Sequence, residues 1–221
     1  MLAWVIHGLR RGRVTSDAPP VFGFHGRVDV LDAEGASTDL EAAWTCPTGA
    51  ITVGEDGRVA LDRRRCILCG DCVRLHPDRF AFSAEQEVAR PAWRSIHVRH
   101  VDAGSDGAEE WEIQALTNPY YDVQRFGIYF TASPRHADIL LVTGGVTEPM
   151  RGPLLRTWEV MPGRKAVVAV GTDACSGGLS GLAGVDSVLD VDVYVPGSPP
   201  SPIAILHGLL LATGVLAEGA R

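Results

Sequence analysis

Cys66-Ile67-Leu68-Cys69-Gly70-Asp71-Cys72 sets three thiols at C-x2-C-x2-C spacing, and a fourth stands upstream in Cys46-Pro47. Thiolates are soft ligands, and sulfur-only sets suit iron–sulfur clusters. A tight loop containing Gly70 presents three sulfurs to one face of a cuboidal cluster and leaves one iron for a distant residue. Cys46 is placed to supply that bond. In runs that carry two clusters, the cysteine of each Cys-Pro pair ligates the other run's cluster. The present run ends in His76-Pro77, and the positions that would complete a second set before Cys46 read Ala36, Asp39 and Ala42. All of these have lost sulfur together. The spacing therefore predicts one 4Fe–4S cluster on Cys46, Cys66, Cys69 and Cys72, and loss of the other. Zinc and free thiols are the alternatives. Four-cysteine zinc sites usually show paired C-x-x-C units, which a triplet plus Cys-Pro does not offer. Cys175 stands alone, as a small buried hydrophobe would.

Other groups carry weaker signals. His97, His100 and His136 could hold a metal or a proton, but His97 and His100 fall in a linker-like stretch that favours structural or interface roles. Gly171–Gly178 is glycine-rich after an apolar run, yet it lacks both G-x-G-x-x-G and Gly-Lys-Ser/Thr, so nucleotide binding is not expected. Tyr120, Tyr121, Arg125 and Phe126 suit a partner-facing surface or helix packing equally well.

These residues need elements to position them. The chain has 221 residues, 46% of them hydrophobic, which is enough for a core in one large or two small domains. Lys and Arg number 20 against 27 Asp and Glu, a net charge of −7 that argues against a protein built to bind nucleic acid, which requires a basic face. A signal peptide is not expected, because Arg10, Arg11 and Arg13 follow the apolar Met1–Leu9 instead of preceding it. Leu2, Val5, Ile6 and Leu9 share one helical face, fit to lie on a membrane, on another subunit or on the chain's own domain. Ile203–Ala217 is apolar but shorter than the ~20 residues a membrane helix needs.

Residues 1–97 read as short and irregular, with strands at Ala50–Val53 and Val59–Leu61 around the turn Gly54–Gly57. Residues 98–221 read as alternating α and β. Ile139–Thr143 and Ala166–Val170 are unbroken apolar runs, the pattern of parallel strands covered on both faces. Val188–Val195 is a third strand candidate, and Pro153–Val160 and Pro202–Ala217 are helix candidates, each opened by proline.

Residues 1–97 resemble the two-cluster ferredoxin-type subunit of complex I and of energy-converting nickel–iron hydrogenases, on the cysteine run and on Gly8-Leu-Arg-Arg-Gly-Arg-Val-Thr15. Residues 98–221 resemble the small, terminal-cluster subunit of the same complexes. The matching stretches include His97–Ser105, Asn118–Gly127, Ala132–Asp138, Val142–Gly144 and Val191–Gly197. The chain is thus similar to a fusion of two subunits. The resemblance implies an α+β ferredoxin-like domain, then an α/β flavodoxin-like domain with a parallel sheet. It also implies one 4Fe–4S cluster, electron transfer, a hydrogenase large-subunit-like partner and the membrane subunits of a complex I-like assembly. The expected place is cytoplasmic, peripheral at the inner face of the cell membrane.

One departure stands out. Where the small subunit holds its terminal cluster by cysteines, this sequence has Asp106, Glu109, Asp173 and Ser198. Carboxylates and a hydroxyl are hard donors unsuited to that cluster. The resemblance therefore implies an emptied site. Its carboxylates would be neutralised by arginine (Arg99, Arg125 or Arg135), by a shared proton or by a hard cation. A scaffold coupling the arm to an antiporter-like membrane module is the alternative to an electron carrier.

Overall fold

The computed structural model describes residues 27–31, 46–55, 58–83, 95–178 and 180–218. Residues 1–9, Ala36, Asp39 and Ala42 lie outside them.

Beyond residue 95 the chain builds a five-stranded parallel sheet. Its strands are β5 (Ile96–Asp102), β6 (Ile128–Phe130), β7 (Ile139–Thr143), β8 (Ala166–Val170) and β9 (Val193–Val195), in spatial order β6-β5-β7-β8-β9. Numbered within the sheet this order is 2-1-3-4-5, the flavodoxin-like doubly wound arrangement. Every residue of β7 and β8 is buried, because helices cover both faces. Alternate side chains feed two cores. Ile139, Leu141 and Val168 pack with Ile113 of α2 (Ala108–Ala115) and with Ile205 and Leu209 of α5 (Pro202–Glu218). Leu140, Val142 and Val167 pack on the other face with Leu154 of α3 (Glu148–Val160) and Met161.

The helix expected from Pro153 begins a turn earlier, at Glu148, with Pro149 in its first turn; Pro153 is interior and forgoes one ladder bond. The strand expected over 188–195 is confined to Val193–Val195. A 3-10 turn at Val185–Ser187 precedes it, and Asp192 holds its entry by accepting a 2.8 Å bond from the Val167 N–H. β5 starts at Ile96, so the sheet begins two residues ahead of position 98.

The earlier residues form two antiparallel pairs. β1 (Arg27–Val30) pairs with β4 (Phe80–Ser83), and β2 (Ile51–Val53) pairs with β3 (Val59–Leu61). Val28, Ile51, Val59 and Phe80 make a small core, against which Cys46, Cys66, Leu68 and Cys72 pack half-buried. A short α1 (Asp71–Leu75) follows the cysteine loop, and α4 (Thr172–Ser176) packs against the Arg63–Arg65 turn that leads into it. Among the described residues no helix is long and apolar enough to cross a membrane.

Candidate functional site

The cysteine loop is a chain reversal between two short helical turns. Asp62 caps the Arg63–Arg65 turn, its carboxylate accepting a 3.0 Å bond from the Arg64 N–H. The backbone then turns through positive φ at Leu68 (59°) and Gly70 (79°) before entering α1. Gly70 is needed twice there, since a Cβ would also come within 3.0 Å of the Phe82 ring. The outcome is that Cys66, Cys69 and Cys72 line one pocket with Cys46. Its walls are the apolar Val28, Ala50, Ile51, Leu61 and Ile67, and its atom-free space, mouth included, is about 380 Å³. None of the four thiols is in a disulfide.

Their acidities differ by surroundings. Burial opposes the Cys46 thiolate, but the Thr48 hydroxyl and the backbone donors around Ala50 outweigh it and lower its pKa. The Ala50 N–H donates to Cys46 Sγ at 3.3 Å. Burial pushes the Cys66 and Cys72 thiols up, and repulsion from the neighbouring sulfurs adds to it. Four sulfurs that repel one another in a partly dry pocket are poorly stable as bare thiolates and well suited to a shared cationic iron core. The four thiols suit an iron–sulfur cluster in kind, and among the described residues no group of three or more His, Cys, Asp and Glu is arranged to hold a single metal ion. His76 caps the end of α1 through its backbone, its N–H bonded to the Cys72 carbonyl at 2.9 Å.

Across the junction, the carboxy-terminal ends of the parallel strands carry a second constellation. Asp106 is exposed, and its Oδ1 accepts the Ala108 N–H at 3.0 Å at the start of α2. Glu109, one turn on, is only 5% exposed. Its carboxylate lies under Gly171, where a Cβ would fall 2.5 Å from Oε1. Burial first, then the charges of Asp106, Glu110 and Asp173, push its pKa up to about 7, against a bond from its own backbone N–H. Asp106, Glu109 and Asp173 therefore share one electrostatic site, and the charges acting most strongly on Glu109 are anions, not arginines. Arg125 lies instead over the Phe126 ring at 4.8 Å. Ser198 is exposed just beyond Gly197, and no hydrogen bond joins its hydroxyl to the carboxylates among the described residues.

Beside it runs a network that spacing did not reveal. His100, placed on β5, meets the Thr143 hydroxyl at 2.9 Å and Glu110 at 3.5 Å. Glu110 accepts from Thr143 Oγ1 at 2.5 Å and from Ser105 Oγ at 2.6 Å. Burial lowers the His100 pKa against the pull of Glu110 and Asp102. A histidine close behind the buried Ile96 and Val98 of an alternating run is the signal that could have placed it on a strand. His97 anchors differently, its backbone N–H donating to Asp138 at 2.8 Å. His136 is exposed in a 3-10 turn, and Cys175 is fully buried with its thiol pushed up to about 12 by desolvation.

The doubly wound sheet, with the turn after β8 bonded through Thr172 to the Cys66 carbonyl of the cysteine loop, makes this a flavodoxin-like α/β protein. Residues 107–212 match the family model described as the NADH ubiquinone oxidoreductase 20 kDa subunit. The chain belongs to that family. It is 41% identical over 151 residues to the formate hydrogenlyase subunit 7 of Escherichia coli, covering 66% of this chain and 59% of that one. Against the Pyrococcus furiosus protein described as a probable membrane-bound hydrogenase subunit, identity is 46% over 132 residues, 57% of this chain and 78% of that one. Against an NADH-quinone oxidoreductase subunit of Citrifermentans bemidjiense it is 48% over 103 residues, 45% of this chain and 61% of that one. The chain thus spans less than two thirds of the E. coli and Citrifermentans relatives. Among solved structures, a chain of the membrane-bound sulfane sulfur reductase, an archaeal respiratory membrane complex, superposes with a TM-score of 0.51 at 30% identity, covering 57% of this chain and 72% of that one.

Proposed function

We propose that this chain is the iron–sulfur subunit of the peripheral arm of a membrane-bound complex related to complex I and energy-converting hydrogenases. It holds one 4Fe–4S cluster on Cys46, Cys66, Cys69 and Cys72 and uses it for electron transfer. The observation that carries this reading is the convergence of all four thiols on one pocket at the edge of the family's α/β domain. When bound, the cluster supplies a one-electron centre. The residues of the chain exclude water with Val28, Ile51 and Leu61, donate an N–H to Cys46 Sγ, and fix the loop by Thr172. Residues 1–97 are a ferredoxin-like domain that has lost its other cluster, at Ala36, Asp39, Ala42 and His76, fused to residues 98–221, the small-subunit domain.

A large subunit of hydrogenase type and membrane subunits are its partners, at the inner face of the cell membrane, and the chain does not catalyse alone. The family match and the hydrogenase and complex I relatives support this placement. A second reading, a scaffold with a cluster that does not turn over, draws on Asp106, Glu109, Asp173 and Ser198 standing where the terminal cluster would sit. Purification of tagged chain from membranes, with metal analysis and co-purifying subunits, tests the assignment. Co-purification of a large subunit and membrane subunits with an iron–sulfur chain supports it. A chain that leaves membranes alone and metal-free contradicts it. Replacing Cys66 separates the readings: a scaffold assembles without its cluster and a carrier loses electron flow.

A further inference from the structure

Two adjacent carboxylates on α2 are treated very differently. Glu110 is satisfied by the hydroxyls of Thr143 and Ser105. Glu109, 5% exposed, receives no bond from the side chain of any other described residue, and its own backbone N–H is the donor that acts on it. Asp106 before α2, Glu110 beside it and Asp173 on α4 all present negative charge to it. From α5, which also packs on α2, the ionisable side chain among those described is His207, and that one lines a separate groove with Arg63 and Arg64. β5 and β7 bring His100 and Thr143, both engaged with Glu110. An ionised Glu109 is therefore largely removed from water, and the charges that act most strongly on it are anions, so the neutral acid is the cheaper form.

The same carboxyl is two residues from the cysteine pocket. It touches Gly171, and the next residue, Thr172, donates its hydroxyl to the carbonyl of Cys66 at 2.9 Å. A bridge of that length spans roughly 10 Å, short enough for a charge on one side to be felt on the other through a low-dielectric interior.

We propose that Glu109 is a proton-binding site linked to the redox state of the cluster held by Cys46, Cys66, Cys69 and Cys72. The inference rests on the cluster reading above and adds the proton to it. One electron arrives from a low-potential one-electron donor, one proton arrives from solvent, and the Glu109 carboxylate becomes the neutral acid. The pair then carries the same net charge before and after. Burial and anionic neighbours already place the Glu109 pKa near neutrality, at about 7. An added electron raises it further. The cluster potential should therefore be flat with pH below that value and fall as pH rises above it, until the raised pKa is passed.

The test is a potentiometric titration of the full chain, prepared anaerobically with its cluster and followed by EPR, between about pH 6 and pH 9. Wild type should show the falling limb and Glu109→Gln should be flat, while Glu159→Gln, on the exposed part of α3, keeps the wild-type slope. An infrared difference spectrum of wild type should show a protonated carboxyl band that grows on reduction and is missing from Glu109→Gln. This band needs no variant to be seen, and Asp106→Asn should shift the falling limb to lower pH. A loaded wild-type chain with a pH-independent potential, or a slope that survives in Glu109→Gln, overturns the linkage alone. A chain without iron and sulfide overturns the cluster reading and the linkage with it, and metal content shows this before any titration.

Discussion

The hydroxyl of Thr172 donates to the carbonyl of Cys66 at 2.9 Å and accepts from the N–H of Gly197 at 3.1 Å. One buried side chain thus ties the cysteine loop to the loop after β9. Arg64 adds a looser tie, 3.8 Å from Asp186 and 5.6 Å above the Tyr194 ring. Arg64 and Asp186 are both well exposed, so that ion pair contributes little. The hydroxyl is the stronger link.

Thr172→Val keeps the shape and leaves a partly buried carbonyl and a buried N–H without their partner. It should cost about 1–3 kcal/mol in urea unfolding. The same change should speed loss of iron from the loaded chain, because the Cys66 end of the loop is no longer pinned. Unchanged stability and unchanged iron retention would show that the two loops are held by other contacts.

Glu109 makes stability depend on pH with a defined sign. Its pKa is raised from 4.5 to about 7 in the folded chain, chiefly by burial and then by the acidic neighbours. The folded state thus binds this proton more tightly than the unfolded state. The associated stability is complete below about pH 4.5, is lost as pH rises to about 7, and stays lost above. Glu109→Gln should therefore be more stable than wild type at pH 8, by on the order of 2 kcal/mol, and close to it at pH 4. Thermal unfolding of both proteins across that range checks the crossover.

Gly171 should resist any side chain. Its φ of +92° is strained for other residues, and a Cβ would meet Glu109 Oε1 at 2.5 Å. Gly171→Ala should destabilise by about 2 kcal/mol or more. Combining it with Glu109→Ala should recover the part due to the clash and leave the part due to φ. Strict additivity in this double-mutant cycle would contradict the contact.

Cys175 should be inert. Desolvation holds its thiol near pKa 12 within α4, so alkylation at pH 8 should spare it in the folded chain and reach it only after denaturation.

Parts of this were legible in the sequence and parts were not. β7 and β8 announce themselves because a strand covered on both faces needs no polar residue, and their apolar runs are unbroken. β5 hides because His97, Arg99 and His100 interrupt its apolar residues, and only a parallel partner on each side explains their half-burial. β1 and β4 pair across about fifty residues, a contact no local pattern encodes. That the four thiols line one pocket was readable, because the spacing is local for three of them and Cys-Pro marks the fourth. The burial of Glu109 was not readable, since it depends on Gly171 arriving from another strand end. Charge alone could not choose among arginine, a shared proton and a hard cation at the acidic site, whereas the groups that act most strongly on Glu109 in the fold are further acids.

The central claim is a single cluster on Cys46, Cys66, Cys69 and Cys72. Iron and acid-labile sulfide determination on anaerobically purified chain, together with the EPR spectrum after dithionite reduction, tests it most directly. The account predicts roughly four iron and four sulfide per chain, a reduced-cluster signal, and loss of both in Cys66→Ser. Zinc in place of iron, about eight irons per chain, or a full cluster retained in Cys66→Ser would contradict it.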